Sequence, residues 1–158
     1  MRSTSEDSER FTLDTNILVY SVDRGAGSRH DLALAIVDRA VDAGCLLTFQ
    51  AISEFYAAAT RKSLMPPMRA AALAESWLLI FQCAPVSANA IRTAFADSLA
   101  ARASYWDALL VATAAGAGCT LILTEDLQNG MRLGDVEIHN PFDADGGLTS
   151  RARALLGL

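Results

Sequence analysis

Phe11-Thr12-Leu13-Asp14-Thr15-Asn16 reads as a short apolar strand that ends on an acid and turns at once into a brief helix over Asn16 to Ser21. Three later stretches each place one acid at a strand-to-helix handover or in a helix's first turns. They are Gln50-Ala51-Ile52-Ser53-Glu54-Phe55, Ser104-Tyr105-Trp106-Asp107-Ala108 and Leu123-Thr124-Glu125-Asp126-Leu127. If the strands concerned lie side by side in one parallel sheet, Asp14, Glu54, Asp107 and Asp126 converge at its carboxyl edge, where open α/β sheets bind their ligands. Crowded carboxylates repel one another and call for a cation. Oxygen-only donors with no His or Cys nearby suit Mg²⁺ or Mn²⁺, and a carboxylate-held ion of that kind most often works on phosphates.

Working outward, strands alternate with helices along the chain, which predicts a parallel sheet covered on both faces by right-handed crossovers. After Arg24-Gly25-Ala26-Gly27-Ser28, a flexible loop, Leu32, Ala35, Ile36, Ala40 and Val41 share one face of a helix that Gly44 ends. Cys45 to Phe49 is nearly all apolar, as in a strand buried on both faces. A helix from about Ala51 to Lys62 follows, and Pro66-Pro67 opens the next, which ends in Trp77-Leu78-Leu79-Ile80-Phe81. Ala84-Pro85-Val86 is read as a short strand, and helices follow over about 88–102 and 105–115. Cys119 to Leu123 and Val136 to His139 complete the strands. The reading divides the chain into a disordered tail over residues 1–10, one domain over 11–142, and a C-terminal tail over 143–158 whose Leu148, Leu155, Leu156 and Leu158 could dock.

The 158 residues suit a single core. With 52% hydrophobic and 20% charged residues the composition is globular, and a net charge of −5 argues against a general nucleic-acid coat, though not against a nuclease whose bound metal inverts the local charge. Cys45, Cys83 and Cys119 are odd in number and lack zinc-ligand spacing, so they are read as small buried residues of a reducing compartment. Met1 to Arg10 is polar, unlike a secretory signal. The uncharged run Ala108 to Thr124 is broken at Gly116-Ala117-Gly118 and too short to span a membrane. A soluble, cytoplasmic protein is expected.

Each acid also has a plain structural reading. Asp14 could cap the helix it precedes. Glu54 could serve the dipole of its helix. Asp107 stands three residues after Ser104, as in a capping box. Asp126 could support a helix capped by Thr124. Leu121 and Leu123 share a strand face, so Glu125 and Asp126 must diverge as the chain turns. What sets the four apart is their occurrence together, in order, on elements that topology can bring to one edge.

The segments Leu13-Asp14-Thr15-Asn16-Ile17-Leu18-Val19-Tyr20, Ile52-Ser53-Glu54-Phe55, Tyr105 to Ala114 and Leu121 to Gly130 together resemble the PIN-domain family, and within it VapC-type toxins of toxin–antitoxin pairs. The resemblance spans about residues 11 to 142. It implies a three-layer α/β/α domain with about five parallel strands in the order 3-2-1-4-5, and an endoribonuclease that depends on Mg²⁺ or Mn²⁺. Asp14, Glu54, Asp107 and Asp126 match the family's acidic quartet, with Asp14, Asp107 and Asp126 as metal ligands. Asn16 and Thr124 match its supporting polar residues, and Asn129 is given no role. A VapB-like antitoxin and a homodimer are implied as partners, with RNA as substrate. Arg61, two helical turns beyond Glu54 and roughly 10 Å along the helix, or Lys62, could hold a flanking phosphate. A solvated helix end, which also favours the C-terminal dipole, is the stronger reading of the two. Two other readings stay open: a receiver- or phosphatase-like domain with Asp14 as phosphoacceptor, and a catalytically inactive PIN interaction module. The first wants a second acid next to Asp14 or two residues beyond it, where Thr15 and Asn16 stand, and a late lysine, whereas Lys62 is the only lysine.

Overall fold

The structure is a computed structural model that describes residues 9–158. Of the expected N-terminal tail, residues 1–8 lie outside the described residues. The elements run β1 (Phe11–Leu13), α1 (Thr15–Tyr20), a 3-10 turn (Arg24–Ala26), α2 (Ser28–Ala40), β2 (Cys45–Thr48), α3 (Phe49–Arg61), α4 (Pro67–Ile80), β3 (Gln82–Ala84), α5 (Ala88–Leu99), α6 (Tyr105–Gly116), β4 (Leu121–Leu123), β5 (Arg132–Leu133), β6 (Val136–His139) and α7 (Ser150–Leu156).

One six-stranded sheet has the order β3-β2-β1-β4-β6-β5. All neighbours are parallel except β5 and β6. The first two crossovers step outward from β1 to β2 to β3, and the next returns past β1 to β4. Right-handed crossovers that reverse direction must put their helices on opposite faces. Accordingly α1 packs on both α2 and α3, and α3 on α4, while α5 pairs with α6. The result is the expected three-layer α/β/α domain. Strands β1, β2 and β4 are buried throughout, as strands covered on both faces should be.

The expected order 3-2-1-4-5 matches the five strands β3, β2, β1, β4 and β6. The sixth, β5, is a two-residue edge strand joined to β6 through Gly134-Asp135, with Gly134 at φ +59°. Two residues carry no alternation to read, and only the Gly-Asp turn signals the hairpin. Strand β3 lies two residues earlier than Ala84-Pro85-Val86, because Pro85 has no N–H to offer the ladder. Helix α3 starts at Phe49 because the Thr48 hydroxyl accepts from Ala51 N at 3.0 Å and caps it.

All three cysteines are free. Cys45 and Cys119 are buried, and burial pushes the Cys119 thiol up to about 12. Among the described residues no helix is long and apolar enough to cross a membrane. The stretch beyond Asp143 carries α7, in which Ala152 and Leu156 are buried; Leu148 is buried just before it. Arg151 bridges Glu137 of β6 and Glu9. Leu156→Ala is expected to cost on the order of 2–3 kcal/mol, as a buried truncation that leaves a partial cavity. Arg151→Ala, which breaks only half-exposed pairs, should cost less than about 1 kcal/mol. Urea denaturation of the two variants checks both; equal losses would mean that α7 is held by charge rather than by packing.

Candidate functional site at the carboxyl edge of the sheet

Asp14 follows β1 and caps α1. Its N–H bonds Leu123 O at 3.0 Å, so the register Leu13↔Leu123 sets Asp14 beside Thr124. The residue is only 6% exposed and its carboxylate is closely held. Thr15 N donates to Oδ1 at 2.6 Å, and the Thr124 hydroxyl donates to Oδ2 at 2.7 Å. Asn16 Nδ2 reaches Oδ2 at 3.3 Å and Thr124 Oγ1 at 3.0 Å. Burial outweighs these bonds, and the charges of Asp107 and Asp126 add to it, so the Asp14 carboxyl is pushed up to about 6.

Glu54 projects from α3. Thr15 Oγ1 donates to its Oε2 at 2.9 Å and Gln50 Nε2 to its Oε1 at 3.1 Å. Asp107 sits in the first turn of α6, where Ser104 accepts from Asp107 N and donates to Oδ2 at 2.8 Å. Asp126 lies in the loop after β4, its N–H bonded to Thr124 Oγ1 at 3.2 Å. These four acids line one cleft of about 470 Å³, with Arg61 and Lys62 also in its wall. Glu125 diverges, as the strand period requires: it accepts from the Tyr20 hydroxyl at 3.0 Å and pairs with Arg29 at 2.6 Å. Asn129 instead caps Asn140 N, away from the cleft.

Every acid singled out in the sequence therefore reaches the same cleft, with Asn16 and Thr124 behind Asp14. Thr15 and Gln50, which orient Glu54, escaped the sequence reading. Gln50 stands one helical turn before Glu54, a spacing that could have flagged it. Thr15 is 39 residues from its partner, and nothing local announces the contact. The donors facing the cleft are oxygens, which fits a hard cation. Among the described residues no three His, Cys, Asp or Glu side chains are gathered into a ready-made cage.

The buried charge makes stability depend on pH. Asp14 holds its proton more tightly folded, at about 6, than at its ordinary 3.8. The folded chain therefore binds the extra proton between those values. Stability from this group is full below pH ~4 and falls as pH rises through ~6, by on the order of 3 kcal/mol. In chelator, the melting midpoint of wild type relative to Asp14→Asn should fall across that window. Any pH-independent cost of the new amide beside Asn16 cancels in the slope, and a flat difference would show that Asp14 is not destabilised by its burial.

The PIN-domain family model matches residues 11–128. A comparison with curated proteins finds no match. Among solved structures, the chain is similar to Mycobacterium tuberculosis VapC20, a toxin that cleaves the sarcin–ricin loop, at 19% identity and TM-score 0.56, covering 73% of this chain and 89% of that one. It is also similar to VapBC2 from Rickettsia felis bound to a promoter DNA fragment, at 12% identity and TM-score 0.61, covering 83% and 98%. VapBC from Salmonella typhimurium, bound to DNA, gives 16% identity and TM-score 0.57, covering 83% and 97%. At these identities the solved structures speak for the fold, and the family model, which takes in most of the chain, speaks for the family: the chain belongs to the PIN-domain family.

Proposed function

We propose that the chain is a metal-dependent endoribonuclease, the toxin of a VapBC-like toxin–antitoxin pair, acting in the cytoplasm on RNA phosphodiesters. The observation that carries the reading is the gathering of four carboxylates from four separate elements into one cleft, around an Asp14 whose charge is buried against its neighbours' repulsion. The oxygen donor set fits Mg²⁺ or Mn²⁺, with Asp14, Asp107 and Asp126 as ligands and Glu54 completing the site. A divalent ion bound there supplies charge neutralisation at the phosphate and lowers the pKa of a water.

The chain's own residues do the positioning. Thr15 N, Asn16 and Thr124 fix both oxygens of Asp14, so it need not reorganise when a cation arrives. Thr15 and Gln50 hold Glu54 in the same way, and Ser104 holds Asp107. Arg61 and Lys62 give the cleft its two cations, where the phosphates flanking the scissile one would pass. The likeness to VapBC complexes supports a VapB-like antitoxin as partner. A phosphoacceptor role for Asp14 gains no support, since Thr15 and Asn16 stand where that chemistry wants a second acid.

A homodimer forms part of the proposal. Of the apolar run at the end of α4, Trp77 and Phe81 are buried, but Leu78, Leu79 and Ile80 are exposed, Leu79 by 86%. An apolar group of that size marks an interface.

Asp14→Asn keeps the shape but removes the charge, and should lower cleavage of total RNA in Mg²⁺ at least about a hundredfold, the scale of losing one electrostatic group in an active site. EDTA should abolish cleavage and Mn²⁺ restore it. Parental activity in Asp14→Asn, or indifference to EDTA, rejects the metal-nuclease reading. For the dimer, light scattering should give twice the chain mass for wild type and a smaller species for Leu79→Glu; a monomeric wild type at micromolar concentration rejects it.

A further inference from the structure

Helix α3 passes three hollows in succession. Phe49, Gln50, Ser53 and Glu54 line an apolar one of about 620 Å³, completed by Val86, Trp106 and Leu109. Glu54, Ala57, Ala58, Arg61 and Lys62 line the acidic cleft. Ser63 and Leu64 then border a third hollow in which Arg24 and Arg69 outnumber Asp23. From first to last the path is roughly 20 Å, at 1.5 Å per helical residue. It runs from aromatic through acidic to basic.

We propose that the first hollow is a nucleobase-stacking subsite, in which Trp106 and Phe49 take the faces of an unpaired base beside the phosphate held in the acidic cleft. The inference rests on the ribonuclease reading and deepens it by naming the side chains that would take a base beside the cleaved phosphate.

Three observations carry it. Trp106 is 61% exposed and Phe49 44% exposed, so two large aromatic side chains stay open to water at one hollow. Trp106 directly precedes Asp107, and Glu54 lies in the walls of both hollows, so a base stacked here sits next to the acids. Gln50 Nε2 donates both to Trp106 O at 3.0 Å and to Glu54 Oε1 at 3.1 Å. Both hydrogens of one amide are thus committed, and they tie the aromatic platform to the acidic cleft. On the far side, Arg61 and Lys62, then Arg24 and Arg69, offer charge to a continuing backbone. Aromatic platforms joined to a cationic track bind single strands, since every base has a stacking face. A paired RNA helix keeps its base faces in its own stack and cannot use such a platform.

The test is binding of a fluorescein-labelled, mixed-sequence unpaired RNA decamer to the full chain carrying Asp14→Asn, which keeps the strand intact. An abasic ribose-phosphate decamer and a paired duplex serve as competitors. Trp77 is buried against Phe55, so quenching of tryptophan emission reports Trp106. The expected result is quenching by RNA and not by the abasic strand, and affinity about tenfold weaker in Trp106→Ala but kept in Trp106→Phe. The paired duplex should compete poorly. Equal binding of abasic strand and RNA, or unchanged affinity in Trp106→Ala, overturns the subsite. So does conversion of dimer to monomer by Trp106→Ala with RNA affinity per chain unchanged, which would make the hollow an interface between copies. If the chain without Asp14→Asn also cleaves no RNA and binds none, the ribonuclease reading itself falls. Cleavage with unchanged affinity in Trp106→Ala removes the subsite alone.

Discussion

The buried carboxylate of Asp14 is the constraint on which the rest of the site depends. A charge on a residue with 6% exposure is tolerated only where donors surround it. Here they come from the next residue's backbone, from Asn16 in the first turn of α1, and from Thr124 just past the neighbouring strand. Those bonds hold the group without neutralising it, and its raised pKa records the remaining imbalance. The same hydroxyl that donates to Asp14 accepts from Asp126 N, so Thr124 couples the first strand's acid to the loop after β4.

Topology makes that coupling possible. Strand β1 lies at the point where the chain stops adding strands on one side and begins on the other. The two neighbouring crossovers leave for opposite faces, and the crevice between them opens at the strands' carboxyl ends. Helices α3 and α6 border it from the two sides, which is how Glu54 and Asp107, far apart in sequence, face Asp14 across one cleft.

The parts of this fold legible in the sequence are those that rest on local chemistry. Apolar runs closed by an acid or a hydroxyl mark β1, β2 and β4, and the spacing from Ser104 to Asp107 marks the start of α6. The convergence of Asp14 and Asp126 follows from strand order, because parallel strands bring their carboxyl ends to one edge, whereas Glu54 and Asp107 reach that edge from α3 and α6. The edge strand β5 was not legible, being too short to show a period, and β3 was displaced by the apolar look of Val86 beyond Pro85. The contact from Thr15 to Glu54 was hidden for a different reason: it depends on how α1 packs on α3, and packing angles leave no local trace.

The plain structural readings of the acids and bases do not survive equally. Helix α3 begins at Phe49, so Glu54 is its sixth residue, in the second turn and beyond the reach of the end dipole. Its place therefore gains little from helix electrostatics, and two polar side chains are spent on orienting it. Asp107 remains in a first turn and accepts a hydroxyl from its own cap, so its position serves the helix as well as the cleft. Arg61, in the last turn of α3, is favoured there by the dipole whether or not a phosphate approaches. One helix can thus carry an acid at its middle and a cation at its end with no conflict between folding and binding. Of these three, Glu54 is the residue whose position asks most strongly for a ligand.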